Sequence, residues 1–139
     1  MRHLITASHG PLATAILESA AFIGGNALIA PVDTIIVERE DSGDDIHAKI
    51  KKIFSKYQMN DEIIVMTDVF GGNVTNILTE YSGNKKLHLI TGMNLPMVLE
   101  ALLADPDISA EELSVRLKAA AKDGVRYVND FLDQEGEEI

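Results

Sequence analysis

Four short runs of apolar and β-branched residues alternate with stretches whose apolar residues recur every three or four positions, and this alternation limits the chain to few folds. The runs are Leu4 to Ala7, with a start as early as Arg2, then Thr34 to Val37, Ile63 to Met66 and Leu87 to Ile90. Between the first two, Leu12, Ile16, Ala20 and Ile23 mark one face of a helix over Pro11 to Ile23, which Gly24-Gly25 ends. Ile46, Ile50, Ile53, Phe54 and Tyr57 mark a second helix, opened by a cap at Ser42 or Asp44. Val74, Ile77, Leu78 and Tyr81 mark a third, closed by Ser82-Gly83-Asn84, and Val98, Leu99, Leu102 and Leu103 a fourth. Ser109 and Glu112 then form a capping-box pattern ahead of a last helix with Leu113, Leu117 and Ala120 or Ala121 inward. Such an order predicts an α/β domain: one doubly wound, mostly parallel sheet of four strands with helices on both faces. Val125 to Phe131 reads equally as a short fifth strand or as more helix, and Leu28 to Pro31 takes no assignment.

The 139 residues suit one domain, expected over 1–133, followed by an acidic tail at 134–139. The chain holds no cysteine, which excludes disulfides and thiolate metal sites and makes a reducing compartment the simplest setting. Its amino-terminus has no signal-peptide pattern, and no apolar run reaches the roughly 18 residues that cross a bilayer. A formal net charge of -10 argues against nucleic acid and anionic membrane as partners.

Right-handed crossovers bring the carboxyl ends of strands one, three and four to one edge of the sheet, where open α/β folds bind ligands. Three loops meet there: Ser8-His9-Gly10, Asp68 to Asn73, and Gly92 to Pro96. Adjacent strands lie about 4.8 Å apart, so His9 and Asp68 fall within reach of one another. A carboxylate on one imidazole nitrogen fixes the tautomer and leaves the other nitrogen as a nucleophile. A phosphoryl group on that nitrogen needs donors, which the backbone at Gly71-Gly72-Asn73, the Ser8 or Thr67 hydroxyl and the Asn73 amide can supply.

The remaining histidines carry less. His3 starts the first strand far from that edge, with partial exposure expected, His47 belongs to a solvated helix start, and His88 lies within strand four. The sequence has no His-Glu-x-x-His spacing, no phosphate-binding Gly-x-x-x-x-Gly-Lys-Ser/Thr or Gly-x-Gly-x-x-Gly loop and no Gly-x-Ser-x-Gly elbow. Neither a metal nor a cofactor is expected.

Three segments, in this order and spacing, resemble the IIA component of the mannose family of the bacterial phosphoenolpyruvate-dependent sugar phosphotransferase system. They are Ile5-Thr6-Ala7-Ser8-His9-Gly10, Thr67-Asp68-Val69-Phe70-Gly71-Gly72-Asn73-Val74-Thr75-Asn76 and Thr91-Gly92-Met93-Asn94-Leu95-Pro96-Met97. The resemblance implies a cytoplasmic protein whose His9 takes a phosphoryl group from the phosphocarrier HPr and passes it to a IIB component. Asp68 would hold His9, Gly71-Gly72-Asn73 would line the phosphoryl site, and Asn94-Leu95-Pro96 its rim. Leu12, Phe70, Leu95 and Met97 then become candidate partner contacts, although core packing accounts for at least two of the four. Homodimers with an exchanged carboxyl-terminal strand are also implied, which would make Val125 to Phe131 an antiparallel edge strand. The family's glycine pair is often followed by Ser or Thr; here Asn73 puts an amide in the place of that hydroxyl. Alternatives are a module phosphorylated only as a signal, the phosphotransfer subunit of a dihydroxyacetone kinase, and a receiver-like domain phosphorylated on Asp68 itself.

Overall fold

The computed structural model describes residues 1–81, 83 and 86–135, with side chains as far as Leu132. Its elements run β1 (Arg2–His9), α1 (Leu12–Gly24), α2 (Asn26–Ile29), β2 (Asp33–Val37), α3 (Gly43–Phe54), β3 (Glu62–Thr67), α4 (Asn73–Thr79), β4 (Lys86–Ile90), α5 (Leu95–Leu103), α6 (Ala110–Asp123) and α7 (Val128–Glu135). The four strands form one sheet in the order β2-β1-β3-β4, and every neighbouring pair is parallel. The connection from β1 runs to one side and the one from β2 crosses to the other. The strand order therefore reverses between β1 and β3, which places a crevice outside their carboxyl ends.

Alternation along the strands builds two apolar layers. On β3, Ile63 and Val65 face α3 and α4, packing with Ile46, Ile50, Phe54, Val74 and Leu78. Ile64 and Met66 face the other way, onto Ile16, Leu17 and Ala20 of α1, Met97 and Val98 of α5, and Leu113 and Leu117 of α6. Sequestering such a side chain from water contributes about 1.5–3 kcal/mol, and all four of these β3 residues are fully buried. Both sheet faces are covered, so the strands are apolar runs rather than alternating ones.

Helix starts follow local chemistry. Ser42 caps α3 in a reciprocal box with Asp45, Asn94 caps α5 by accepting the Met97 N–H, and Ser109 caps α6 by accepting the Glu112 N–H. The unassigned stretch, Leu28 to Pro31, takes in the second half of the one-turn helix α2 and the turn after it. Leu103, expected on the inner face of α5, is exposed; Met97, Val98 and Ala101 take that face. Tyr57 lies past the end of α3 and packs against it from the following turn.

The candidate fifth strand does not form. Within Val125 to Phe131, the residues from Val128 onward belong to α7, with Val125, Tyr127 and Val128 left exposed. A strand needs a neighbour for its N–H and C=O groups, whereas a helix satisfies them internally. The segment pairs with neither outer edge of the sheet, β2 or β4, and closes its hydrogen bonds within α7 instead. Of the expected tail, Gln134 and Glu135 close α7 and 136–139 lie outside the described residues, as do Ser82 and Asn84 of the expected stop after α4.

At the amino edge of the sheet, His3 is partly exposed, as its position suggests, and is also held by specific contacts. Its Nε2 lies 2.7 Å from Asp61 Oδ2, and its ring stacks on Tyr57 with centroids 3.8 Å apart. Asp61 also accepts the Gln58 N–H at 2.9 Å and the amino-terminal ammonium at 3.2 Å. The bond to His3, then that to Gln58, hold the Asp61 carboxyl at about 2 against an ordinary 3.8. A depressed carboxylate stabilises the fold above its unfolded value and loses that contribution as pH falls through its folded value. Wild-type stability should therefore drop between about pH 4 and pH 2, and Asp61→Asn should be less stable at neutral pH with a flatter profile across that window. Urea midpoints measured against pH check this; parallel profiles would show that Asp61 contributes nothing.

Candidate functional site

β1 ends at His9 and β3 ends one residue before Asp68, on either side of the point where strand order reverses. The His9 backbone N–H donates to Asp68 Oδ2 at 2.8 Å, and the same oxygen lies 3.0 Å from Nδ1 of the His9 ring. Asp68 Oδ1 accepts the Val69 N–H at 2.9 Å. Burial works to raise the Asp68 pKa, but the His9 backbone, its imidazole and the Val69 N–H together hold it below the ordinary value. Asp68 is thus an ionised acceptor at neutral pH. A hydrogen bond to it from Nδ1 requires the ring proton on Nδ1, which leaves the Nε2 lone pair free. The side chain of Asp68 is only 12% exposed and that of His9 45%, so the carboxylate is shielded while the ring opens to solvent.

The glycine turn packs directly on this imidazole. A β-carbon at Gly72 would lie 2.7 Å from His9 Cε1 and 3.4 Å from Nε2. Gly72 is also the N-cap of α4, and Asn73 is the first residue of that helix, exposed to solvent. Beneath the turn, the Thr75 hydroxyl lies 3.1 Å from the Thr67 hydroxyl and 3.0 Å from the Val69 carbonyl. Thr67 is therefore a buried strut and not a donor to the crevice.

Neighbouring loops are laced to one another. Gly10 N–H donates to the Val37 carbonyl at 2.9 Å, Met93 N–H to the Thr67 carbonyl at 2.9 Å, and Gly92 N–H to the Asp68 carbonyl at 3.2 Å. All four strands being parallel, the loop after β2 reaches this edge too, and it was missing from the three-loop expectation. Glu38 to Asp41 joins His9, Gly10, Pro11 and Asn73 around a groove of about 760 Å³. Arg39 lies in that lining and is the functional candidate that sequence reasoning passed over; a single cation among carboxylates just after a parallel strand was the available signal.

Several expected site residues have other duties. Ser8 is fully buried; its hydroxyl donates to the Gly10 carbonyl at 2.8 Å and accepts the Ala13 N–H at 2.8 Å. It secures the start of α1 and has no donor left for a phosphoryl oxygen. Asn94 accepts the Met97 N–H at 3.1 Å and donates to the Ala121 carbonyl at 3.0 Å, so its amide ties α5 to α6. Met97 is a core residue beneath the sheet, and Leu95 packs half-buried against the same core. Leu12 and Pro96 are exposed, and Phe70 is 87% exposed beside the glycine turn. His47 is more than a solvated helix start, its Nδ1 lying 2.7 Å from the Tyr81 hydroxyl and its Nε2 3.2 Å from Glu80. Among the described residues no cluster of three His, Cys, Asp or Glu could hold a metal, and no helix is long and apolar enough to cross a membrane.

The whole chain has known relatives. The family model EIIA-man, described as "PTS system fructose IIA component", matches residues 3–118. The fructose-specific EIIA component of Bacillus subtilis (strain 168) is 23% identical over 137 residues, covering 96% of this chain and 91% of that protein. The sorbose-specific EIIA component of Klebsiella pneumoniae is 28% identical over 122 residues, covering 87% of each. Among solved structures, the mannose/sorbose-specific IIA subunit from Enterococcus faecalis superposes with a TM-score of 0.83 at 28% identity, over 90% of this chain and 92% of that one. With that match running through both halves of the crevice, the chain belongs to the IIA component family of the sugar phosphotransferase system.

Proposed function

We propose that this protein is a phosphohistidine carrier that accepts a phosphoryl group on His9 Nε2 from the phosphocarrier HPr and donates it to a IIB component in the cytoplasm. The observation that carries the reading is the pairing of an ionised Asp68 with Nδ1, which leaves Nε2 free at the mouth of the crevice. In the forward step the Nε2 lone pair attacks phosphorus. The N–P bond of the donor's phosphohistidine breaks, and its electron pair returns to the donor's ring nitrogen. The phosphorylated His9 ring keeps its Nδ1 proton, carries positive charge, and is stabilised by Asp68. No cofactor is consumed, because the group arrives already activated on the donor protein. Gly72 packs against the ring at Cε1, beside Nε2, and the backbone N–H groups of Gly71, Gly72 and Asn73 in that turn are the donors this reading assigns to the phosphoryl oxygens.

The partner must bring its own histidine within bonding distance of Nε2, so its surface covers the crevice rim. Exposed Phe70 and Leu12 are the apolar contacts offered there. A second copy of the chain is also part of this reading. The outer edge of β4 has no strand neighbour among the described residues. Beside it runs an apolar groove of about 790 Å³, whose lining includes Phe70, Leu89, Ile90, Val115 and Val125. An exposed edge next to apolar surface favours strand addition from another chain.

Phosphoenolpyruvate labelled in its phosphoryl group, with the general components of the relay, tests the carrier role. The protein should acquire label in a form lost in acid and kept in base, and should pass it to its IIB component. Label lost in base would mean an acyl phosphate on Asp68, and label that never leaves would mean a purely regulatory module.

A further inference from the structure

The groove beside His9 contains a cation that the carrier reading has not used. β1 and β2 are in register with His9 opposite Val37, and the Gly10 N–H is bonded to the Val37 carbonyl. Arg39 is only two residues beyond Val37, within about 7 Å of backbone, and its side chain is as long again. Its backbone is held in a closed turn: the Asp41 N–H donates to the Glu38 carbonyl at 3.1 Å, and the Glu38 N–H donates to Asp41 Oδ2 at 2.8 Å. Lys49 Nζ fixes the turn from α3, donating to Asp41 at 2.6 Å and to the Ile36 carbonyl at 2.7 Å.

Charge in the groove is then unevenly satisfied. Asp41 is neutralised by Lys49, whereas Arg39 has no ion-pair or hydrogen-bond partner among the described residues and is the only cation in the lining. A phosphoryl dianion on His9 would otherwise face Glu38 and Glu40 across the same groove. The helix beside it, α4, has seven residues and offers little charge of its own. A guanidinium presents paired N–H donors that match two phosphoryl oxygens at once.

We propose that Arg39 is the positioning residue for the phosphoryl group on His9, closing over the groove to receive two of its oxygens when Nε2 is loaded. The assignment rests on the carrier reading and adds to it a side-chain donor from the loop after β2. Transfer itself breaks and forms the same N–P bonds as before; Arg39 offsets negative charge on the three transferring oxygens and exchanges no proton.

Wild type, Arg39→Gln and Arg39→Lys are labelled through the relay, and the phosphoproteins are isolated for ³¹P spectroscopy. Arg39→Gln should acquire label at least about tenfold more slowly, with Arg39→Lys intermediate. In the isolated Arg39→Gln phosphoprotein the ³¹P resonance should titrate at higher pH than in wild type, because the dianion has lost its cation. A role confined to folding or to docking the donor protein would leave that titration unmoved. An unchanged titration therefore overturns the assignment, whatever the labelling rate. A wild type that acquires no label sinks the carrier reading instead, so the two failures are distinguishable.

Discussion

A His9→Ala protein is expected to acquire no phosphoryl group under conditions that label the wild type fully, while keeping the wild-type fold. No other imidazole can take over. His3 is held by Asp61 and Tyr57 at the opposite edge of the sheet, His47 is bound between Tyr81 and Glu80, and His88 lies within β4. Asp68→Asn separates orientation from nucleophilicity. Its amide can keep a contact to the ring, but the charge that stabilises a phosphorylated, positively charged imidazole is gone, and the Nδ1 proton loses its strongest acceptor. Losing both should slow uptake about 100-fold. Initial rates of labelling, with circular dichroism to confirm folding, measure both variants. Wild-type labelling of His9→Ala would place the chemistry elsewhere, and a fully active Asp68→Asn would make the 3.0 Å contact structural only.

The crevice was legible in the sequence to the extent that it depends on strand ends. His9 and Asp68 follow apolar runs that can only be buried parallel strands, and parallel strands in one sheet deliver their following loops to one edge. Side-chain direction within those loops was harder to read. Ser8 precedes His9 by one residue, and alternation turns its hydroxyl inward to the start of α1. Asn94 looks like a rim residue until it is seen to cap α5 and reach Ala121 of α6, a contact between elements 27 positions apart. Met97 shows the same limit, since an apolar residue in the first turn of a surface helix faces either a partner or the core, and the position of α6 decides which. Arg39 was missed for a topological reason: the β2 loop joins the site because the Gly10 N–H reaches the Val37 carbonyl, and that pairing follows from strand order, not from any local pattern. The carboxyl-terminal segment was open because Val125 to Phe131 is too short and too evenly apolar for its periodicity to separate strand from helix.

The two adjacent glycines of the turn should fail in opposite ways, and this separates the geometry of the site from the stability of its scaffold. Gly72 has φ -74°, a conformation open to any residue, so alanine there introduces no backbone strain. Its new β-carbon would instead stand 2.7 Å from His9 Cε1 and 3.2 Å from Val69 Cγ2. The imidazole has to swing away, and the motion stretches its bond to Asp68. Gly71 is the reverse case. It has φ +80°, and nothing lies within 4 Å of where its β-carbon would be. Alanine there leaves the ring untouched but forces a left-handed residue, at about 1–2 kcal/mol. Gly72→Ala should therefore hold near wild-type stability and lose about 10- to 100-fold in labelling rate, an ångström-scale misplacement of a reacting group having effects of that order. Gly71→Ala should lower the urea midpoint while labelling within about twofold of wild type whenever it is folded. Paired measurement of urea midpoint and labelling rate on both variants checks the assignment. A Gly72→Ala protein with wild-type rate would mean that the imidazole moves freely in the loaded state, and the glycine turn would then have no part in holding His9.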